Sequence, residues 1–144
     1  MILNNAVGGD LPDSPDATAA LNHPATASST ENAGTPASAA VDGNAGTRWS
    51  SAASDPQWLQ VDLGSTQTLC QVTLTWEAAY ARAFQIQTAI AAGGPFTTVF
   101  STTTGTGGTQ TLPVTGTGRY VRVTGTVRAT TFGYSVWELA VLTP

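Results

Sequence analysis

Apolar residues recur along this chain with a period of two, in short runs between turn-forming clusters. Gln57 to Leu63 alternates with Leu59, Val61 and Leu63 on one face. Thr68 to Trp76 alternates again, with Cys70, Val72, Leu74 and Trp76 in phase, which points the Cys70 thiol inward as a small inert hydrophobe. Further strands are expected over Arg82–Ala91 (Phe84, Ile86 and Ile90 in phase), Phe96–Ser101, Thr109–Val114, Arg119–Thr124 and Tyr134–Leu142. Their separators are Gly93-Gly94-Pro95, Gly105-Thr106-Gly107-Gly108 and Gly116-Thr117-Gly118, all good turn formers. Nowhere is there a capped run with a 3.6-residue period. The pattern therefore predicts an all-β fold, an antiparallel β-sandwich of about eight strands, with any function carried on the loops at its ends.

A chain of 144 residues has room for one core and a tail. The tail is legible: Asp10, Pro12, Asp13, Pro15, Asp16 and Pro24 interrupt an opening segment without apolar period, so residues 1–22 read as linker or remnant of a preceding domain and 23–144 as the module. The start has neither the basic region nor the apolar run of an export signal. A Thr-, Ser- and Ala-rich surface leans toward a secreted bacterial module, whose signal would then lie outside this sequence.

Charge narrows the partners. Five Arg and no Lys against nine acidic residues give a net charge of −4, which offers no footprint for nucleic acid and makes an anionic membrane a poor partner. Catalytic chemistry is equally thin. The single histidine, His23, stands before Pro24 in the expected linker, so no Ser-His-Asp or Cys-His arrangement can be built on the core, and Cys70 alone forms no disulfide. Glu31 and Glu77 fall in expected loops. They read as a carboxylate pair able to act as acid and base on a glycoside, or as acceptors for sugar hydroxyls.

Several short motifs then occur in one order: Ala27-Ser28-Ser29, Ala40-Val41-Asp42-Gly43, Thr47-Arg48-Trp49-Ser50-Ser51, Trp58-Leu59-Gln60-Val61-Asp62-Leu63-Gly64, Arg119-Tyr120-Val121-Arg122, and Gly133-Tyr134-Ser135 with Glu138. Together they resemble the discoidin, or coagulation factor V/VIII type C, domain, and within that group the bacterial carbohydrate-binding modules of family thirty-two. The resemblance covers residues 22 to 144 and implies a discoidin-like jelly roll. Two departures are visible. Ala92-Gly93-Gly94-Pro95-Phe96 replaces the usual Asp-Gly turn and Trp, and the terminal disulfide of animal members is missing.

The resemblance implies a structural Ca2+ held by the Ala39 carbonyl, Asp42, Asn44, Thr47, the Trp137 carbonyl and Glu138. From the residues alone, Asp42-Gly43-Asn44-Ala45-Gly46-Thr47 is half a calcium site, or an Asx turn with Glu138 paired to an arginine. The resemblance to glucan- and chitosan-binding members also implies sugar contacts from Glu31, Glu77, Tyr80 and Tyr134, with Arg48 and Arg82 behind them. Sugar recognition asks for an aromatic face beside planar polar groups, and the loops at 76–82 and 128–134 carry that mixture. Trp49, Trp58 and Trp76 read as core, and Trp137 shares phase with Leu139 and Val141. Tyr80 and Phe132 lie in loops with no apolar period to explain them. Arg119 or Arg122 is expected to pair with Asp62.

Ile2 to Asp16 is similar to the stretch near the end of the catalytic domain in family-sixteen glycoside hydrolases. That similarity implies a non-catalytic, secreted, monomeric accessory module that targets a glycoside hydrolase to a polysaccharide, with β-1,3-glucan as ligand and chitosan or galactose-type sugars as alternatives. The rival expectation is an adhesion module for a protein or lipid surface, as in animal relatives.

Overall fold

The computed structural model describes residues 18–144. Seven strands, all paired antiparallel, follow the order β1 (Ala25–Ala27), β2 (Trp49–Ser50), β3 (Gln57–Trp76), β4 (Ala81–Ala89), β5 (Thr97–Thr102), β6 (Thr109–Arg128) and β7 (Ser135–Leu142), with a 3-10 turn at Ala37–Ala40. Strands β3 and β6 are each 20 residues long and pair along most of their length. The first half of β3 lies between β1 and β6, and β6 is followed by β4 and β5; the second half lies between β6 and β7, with β2 at the edge. Two strands therefore run through both layers of the sandwich.

The bend needs a break in register. Pairing of β3 with β6 shifts between Asp62 and Gln67, and again between Leu69 and Gln71. A residue inserted at a bulge reverses the in–out parity of the strand beyond it. This explains two departures from the sequence pattern. Cys70 is exposed, its thiol directed at the Leu142 carbonyl, because Leu69 takes the inward position before the second shift. Trp137 is only half-buried, because the β3–β7 register shifts between Thr75 and Trp76, leaving Val136 inward. Gly116-Thr117-Gly118 is not a turn but the continuing middle of β6, where added Cβ atoms would strike Val99 and Thr88. The expected strand at 82–91 stops at Ala89, and Ile90 is 74% exposed beyond its end.

The layers meet in one core. Trp76 from the second layer packs edge-on against Phe84 of β4, ring centroids 5.4 Å apart, and Phe84 in turn faces Phe100. Leu59, Val61, Val72, Leu74, Val121 and Val123 keep the phases that the alternation assigned. Trp49 is buried as expected, whereas Trp58 is only half-buried, its ring under the Arg122 guanidinium at 4.0 Å, with Phe96 on the same guanidinium at 4.1 Å. Arg119, not Arg122, takes Asp62, through two hydrogen bonds of 2.8 and 3.0 Å.

The fold begins earlier than the linker boundary placed it. Ala20 is fully buried, the Ala19 amide donates to the Val141 carbonyl, and the Val141 amide donates to the Thr18 hydroxyl. The assignment of residues 1–17 as linker, and the similarity of Ile2–Asp16 to a hydrolase, lie outside the described residues. At the other end of the sandwich, an added Cβ on Gly125 would fall 2.4 Å from the buried Tyr134 ring, while one on Gly93 would meet nothing within 4 Å. Gly125→Ala is expected to cost about 1–3 kcal/mol by overpacking, and Gly93→Ala less than about 0.5 kcal/mol; urea denaturation of the two variants measures the contrast.

Candidate functional site

The shortest pairing in the molecule organises one end of it. Strand β2 meets β7 over only two residue pairs, Trp49↔Val136 and Ser50↔Ser135. That register places the Ser50 and Ser135 hydroxyls 2.7 Å apart, both buried. Arg48 Nε donates to the Ser50 hydroxyl at 3.0 Å, so that oxygen already accepts one bond. Two hydroxyl protons serve one mutual bond, and the second proton remains for a ligand.

Each serine also anchors a carboxylate by its backbone. The Glu31 amide donates to the Ser50 carbonyl at 2.7 Å, and the Glu77 amide to the Ser135 carbonyl at 3.0 Å. The two glutamates thus stand on either side of the hydroxyl pair. Glu77 is held further by the Ala79 amide on its Oε1, at 2.9 Å, and Glu31 is exposed. The loop before Glu31 is fixed by Gln57, whose Oε1 accepts from Ser28 and Ser29, while the Trp49 indole donates to the Ser29 carbonyl. The serine pair of the first motif and the tryptophan of the third therefore work as one brace.

The result is a cleft of about 280 Å³ with the Ser50–Ser135 pair among its lining, bordered by Glu31, Glu77 and Arg48, with Thr130, Phe132 and Gly133 on a third side. Phe132 is 68% exposed. The guanidinium of Arg48 lies 5.4 Å from the Trp137 ring, which keeps it beside the floor. An arrangement of two carboxylates, free hydroxyl capacity, one cation and one open aromatic ring suits a small polyhydroxylated ligand bearing positive charge.

Of the six expected sugar contacts, Glu31, Arg48 and Glu77 come together here. Three do not. Tyr134 is 1% exposed, its hydroxyl donates to Asp55, and burial together with that bond raises its pKa well above the phenol range. Tyr80 leans on the core with its ring against Gly107, and Arg82 is exposed on β4; neither lines the cleft. Ala79 is the last residue of this stretch to line the cleft, and β4 opens at Ala81. Phe132, Ser50 and Ser135 were not among the expected contacts. An aromatic in a loop without apolar period was the available signal for Phe132, whereas the serine pair depends on long-range register that no local pattern reveals.

A second cluster forms where the 42–47 loop meets β7. Thr47 Oγ1 lies 2.6 Å from Asp42 Oδ2, 3.1 Å from the Asn44 carbonyl and 3.4 Å from the Ala39 carbonyl. The Gly43 amide donates to Glu138 Oε2 at 3.3 Å, joining chain positions 95 residues apart. Glu138 Oε1 is buried without a hydrogen-bond partner. Among the described residues no group of three or more His, Cys, Asp or Glu gathers, so the donors are two carboxylates with hydroxyl and carbonyl oxygens. Such an oxygen-only set fits a hard cation and not a thiophilic or imidazole-seeking one. The Asn44 amide oxygen is turned back onto the Gly46 amide, and the Trp137 carbonyl is carried by the residue adjoining Glu138.

Comparison with known proteins gives the fold its place. Chitosan-binding module 1 of the chitosanase/glucanase from Paenibacillus sp. IK-5 is 52% identical, over 86% of this chain and 97% of that one, with a TM-score of 0.83. Module 2 of the same enzyme, solved in complex with chitotriose, is 46% identical over 86% and 98%, also at 0.83. The family 32 carbohydrate-binding module of NanJ from C. perfringens, in complex with galactose, is 27% identical over 83% and 93%, at 0.71. No curated protein matches. Residues 24–139 match the F5/8 type C domain, and the chain belongs to that discoidin family.

Proposed function

We infer that this domain is a non-catalytic carbohydrate-binding module, that its ligand is a polymer of glucosamine, and that the Glu31–Glu77 cleft holds it. The observation that carries the reading is the pair of carboxylates set on either side of the Ser50–Ser135 floor. Carboxylates can accept from the hydroxyls of a neutral β-1,3-glucan too, but glucosamine carries an ammonium group at each ring and adds ionic attraction to the hydrogen bond. The net charge of −4 adds long-range attraction for a polycation. The similar modules named for chitosan support the same choice. Phe132 offers a face for the C–H side of a ring and Arg48 a donor for its oxygens. In this reading the module works outside the cell and tethers an attached hydrolase to insoluble substrate, raising its local concentration.

Structural Ca2+ belongs to the same proposal. Asp42, Thr47, Glu138 and the Ala39 carbonyl would hold it, with Asn44 and the Trp137 carbonyl completing the shell. Bound there, the ion would balance two carboxylates and clip the 42–47 loop to β7. The buried, unpartnered Oε1 of Glu138 supports this reading.

Glu77→Ala and Glu31→Ala are expected to weaken chitotriose binding about tenfold each, the loss of one charge-assisted hydrogen bond, with the thermal midpoint unchanged for Glu31→Ala and slightly lowered for Glu77→Ala, whose carboxylate also accepts from the Ala79 amide. Isothermal titration against chitotriose and laminaritriose checks this; equal affinity for both sugars would contradict the amino-sugar assignment. Chelation is expected to lower the melting temperature, and an unchanged melt with no metal found by elemental analysis would end the calcium proposal.

The chelated domain should also respond to pH. Burial, aided by the nearby Asp42 charge and opposed by the Gly43 amide, raises the Glu138 pKa to about 7. Below about 4.5, the ordinary glutamate value, the carboxyl is protonated in folded and unfolded chains alike. Between that value and about 7 the unfolded chain gives up its proton more readily, so stability falls as pH rises. Urea midpoints in chelator should decline across that window for the wild type and stay flatter for Glu138→Gln.

A further inference from the structure

Phe132 is useful to a ligand only if its loop is already ordered. The ring is 68% exposed and sits on the connection between β6 and β7. If that connection were loose, the entropy lost on ordering it would cancel the gain from ring contact. The loop's two feet are Arg128, the last residue of β6, and Tyr134, just before β7. Both feet reach the same side chain. Tyr134 donates its hydroxyl to Asp55 Oδ1, and Arg128 Nε donates to Asp55 Oδ2 at 3.2 Å. Arg128 also donates to the Thr131 carbonyl inside the loop, at 3.4 Å.

Asp55 comes from the segment after β2, outside the lining of the cleft. That segment holds the loop in two more places. The Tyr134 amide donates to the Ser51 hydroxyl and the Ser51 amide to the Tyr134 carbonyl. Gly133 approaches so closely that an added Cβ would fall 2.3 Å from the Ser51 carbonyl oxygen. One carboxylate, with each oxygen spent on a different foot, thus closes the base of the loop.

We propose that Asp55 is a positioning residue for ligand binding, which fixes the aromatic side of the cleft by holding Arg128 and Tyr134 at the two feet of the Phe132 loop. The inference rests on the saccharide reading above. Asp55 touches no ligand and acts only through Phe132.

The test is a double-mutant cycle on the whole domain, with chitotriose as the probe in isothermal titration. Asp55→Ala and Phe132→Ala are each expected to weaken binding several-fold, to about tenfold, and the double variant to bind no more weakly than Phe132→Ala alone. Asp55→Ala combined with Glu77→Ala should multiply the two losses. Effects of Asp55→Ala and Phe132→Ala that multiply, or wild-type affinity in Asp55→Ala, would overturn the role of Asp55 while leaving the binding site in place. A wild type that binds no glucosamine oligomer would overturn the saccharide reading and the role in binding with it.

Amide hydrogen exchange supplies a second measurement that needs no sugar. In Asp55→Ala, exchange at 129–133 should accelerate while Glu31 and Glu77 keep their rates; unchanged exchange in the loop would overturn the proposal. If Asp55→Ala fails to fold, Asp55→Asn, which keeps an oxygen for Tyr134 but loses the charge facing Arg128, and Arg128→Gln carry the same cycle with smaller expected effects.

Discussion

The pairing of β3 with β6 through both layers is the constraint on which the rest of the molecule depends. Because the same two strands supply the middle of each layer, the relative placement of the layers is fixed by backbone hydrogen bonds as well as by side-chain packing. Strands β1, β4 and β5 then add to one end of the pair and β7 and β2 to the other. Contact between Trp76 and Phe84 ties the two halves across the core. The loops that leave these strands have little freedom over where they meet.

The cleft is a consequence of that frame. It stands where the shortest strand, β2, borrows two residue pairs from β7, and where the connections after β3 and β6 arrive from the long strands. Glu31 and Glu77 are far apart in sequence and in different loops, yet the backbone of each is held by one member of the same serine pair. Rigid elements thus hold the backbones of the carboxylates, which is the condition for polar groups to discriminate between ligands without a large ordering cost. On the third side the aromatic loop has no strand beneath it, and its anchoring falls to the Ser51 and Asp55 contacts and to the Ala129 amide, which donates to the Tyr80 carbonyl.

Much of the fold was legible because period-two alternation survives wherever the register is unbroken. Leu59 and Val61, Val72 and Leu74, and Val121 and Val123 occupy the faces that alternation assigns. Legibility ended at the bulges. Cys70 and Trp137 fall beside register shifts, and Gly116 to Gly118 form the bent middle of a strand whose composition imitates a turn. At the site, the ordered motifs and the resemblance they carry brought in Glu31, Arg48 and Glu77. Tyr134 looked equally suitable from sequence, because an aromatic hydroxyl aimed at a neighbouring carboxylate and one aimed at solvent have the same local signature. The serine floor was invisible for a different reason: it exists only once two distant strands have paired.

The central claim is that a cleft with Ser50 and Ser135 on its floor and Glu31 and Glu77 at its sides receives an amino sugar. Chemical-shift mapping of the isotope-labelled domain during titration with chitotriose tests it most directly. Perturbations are expected to concentrate on Glu31, Arg48, Ser50, Glu77, Phe132 and Ser135, with Tyr80, Arg82 and the Trp58–Arg122 face unmoved. Perturbations centred on that outer face, or spread evenly over the sandwich, would contradict it.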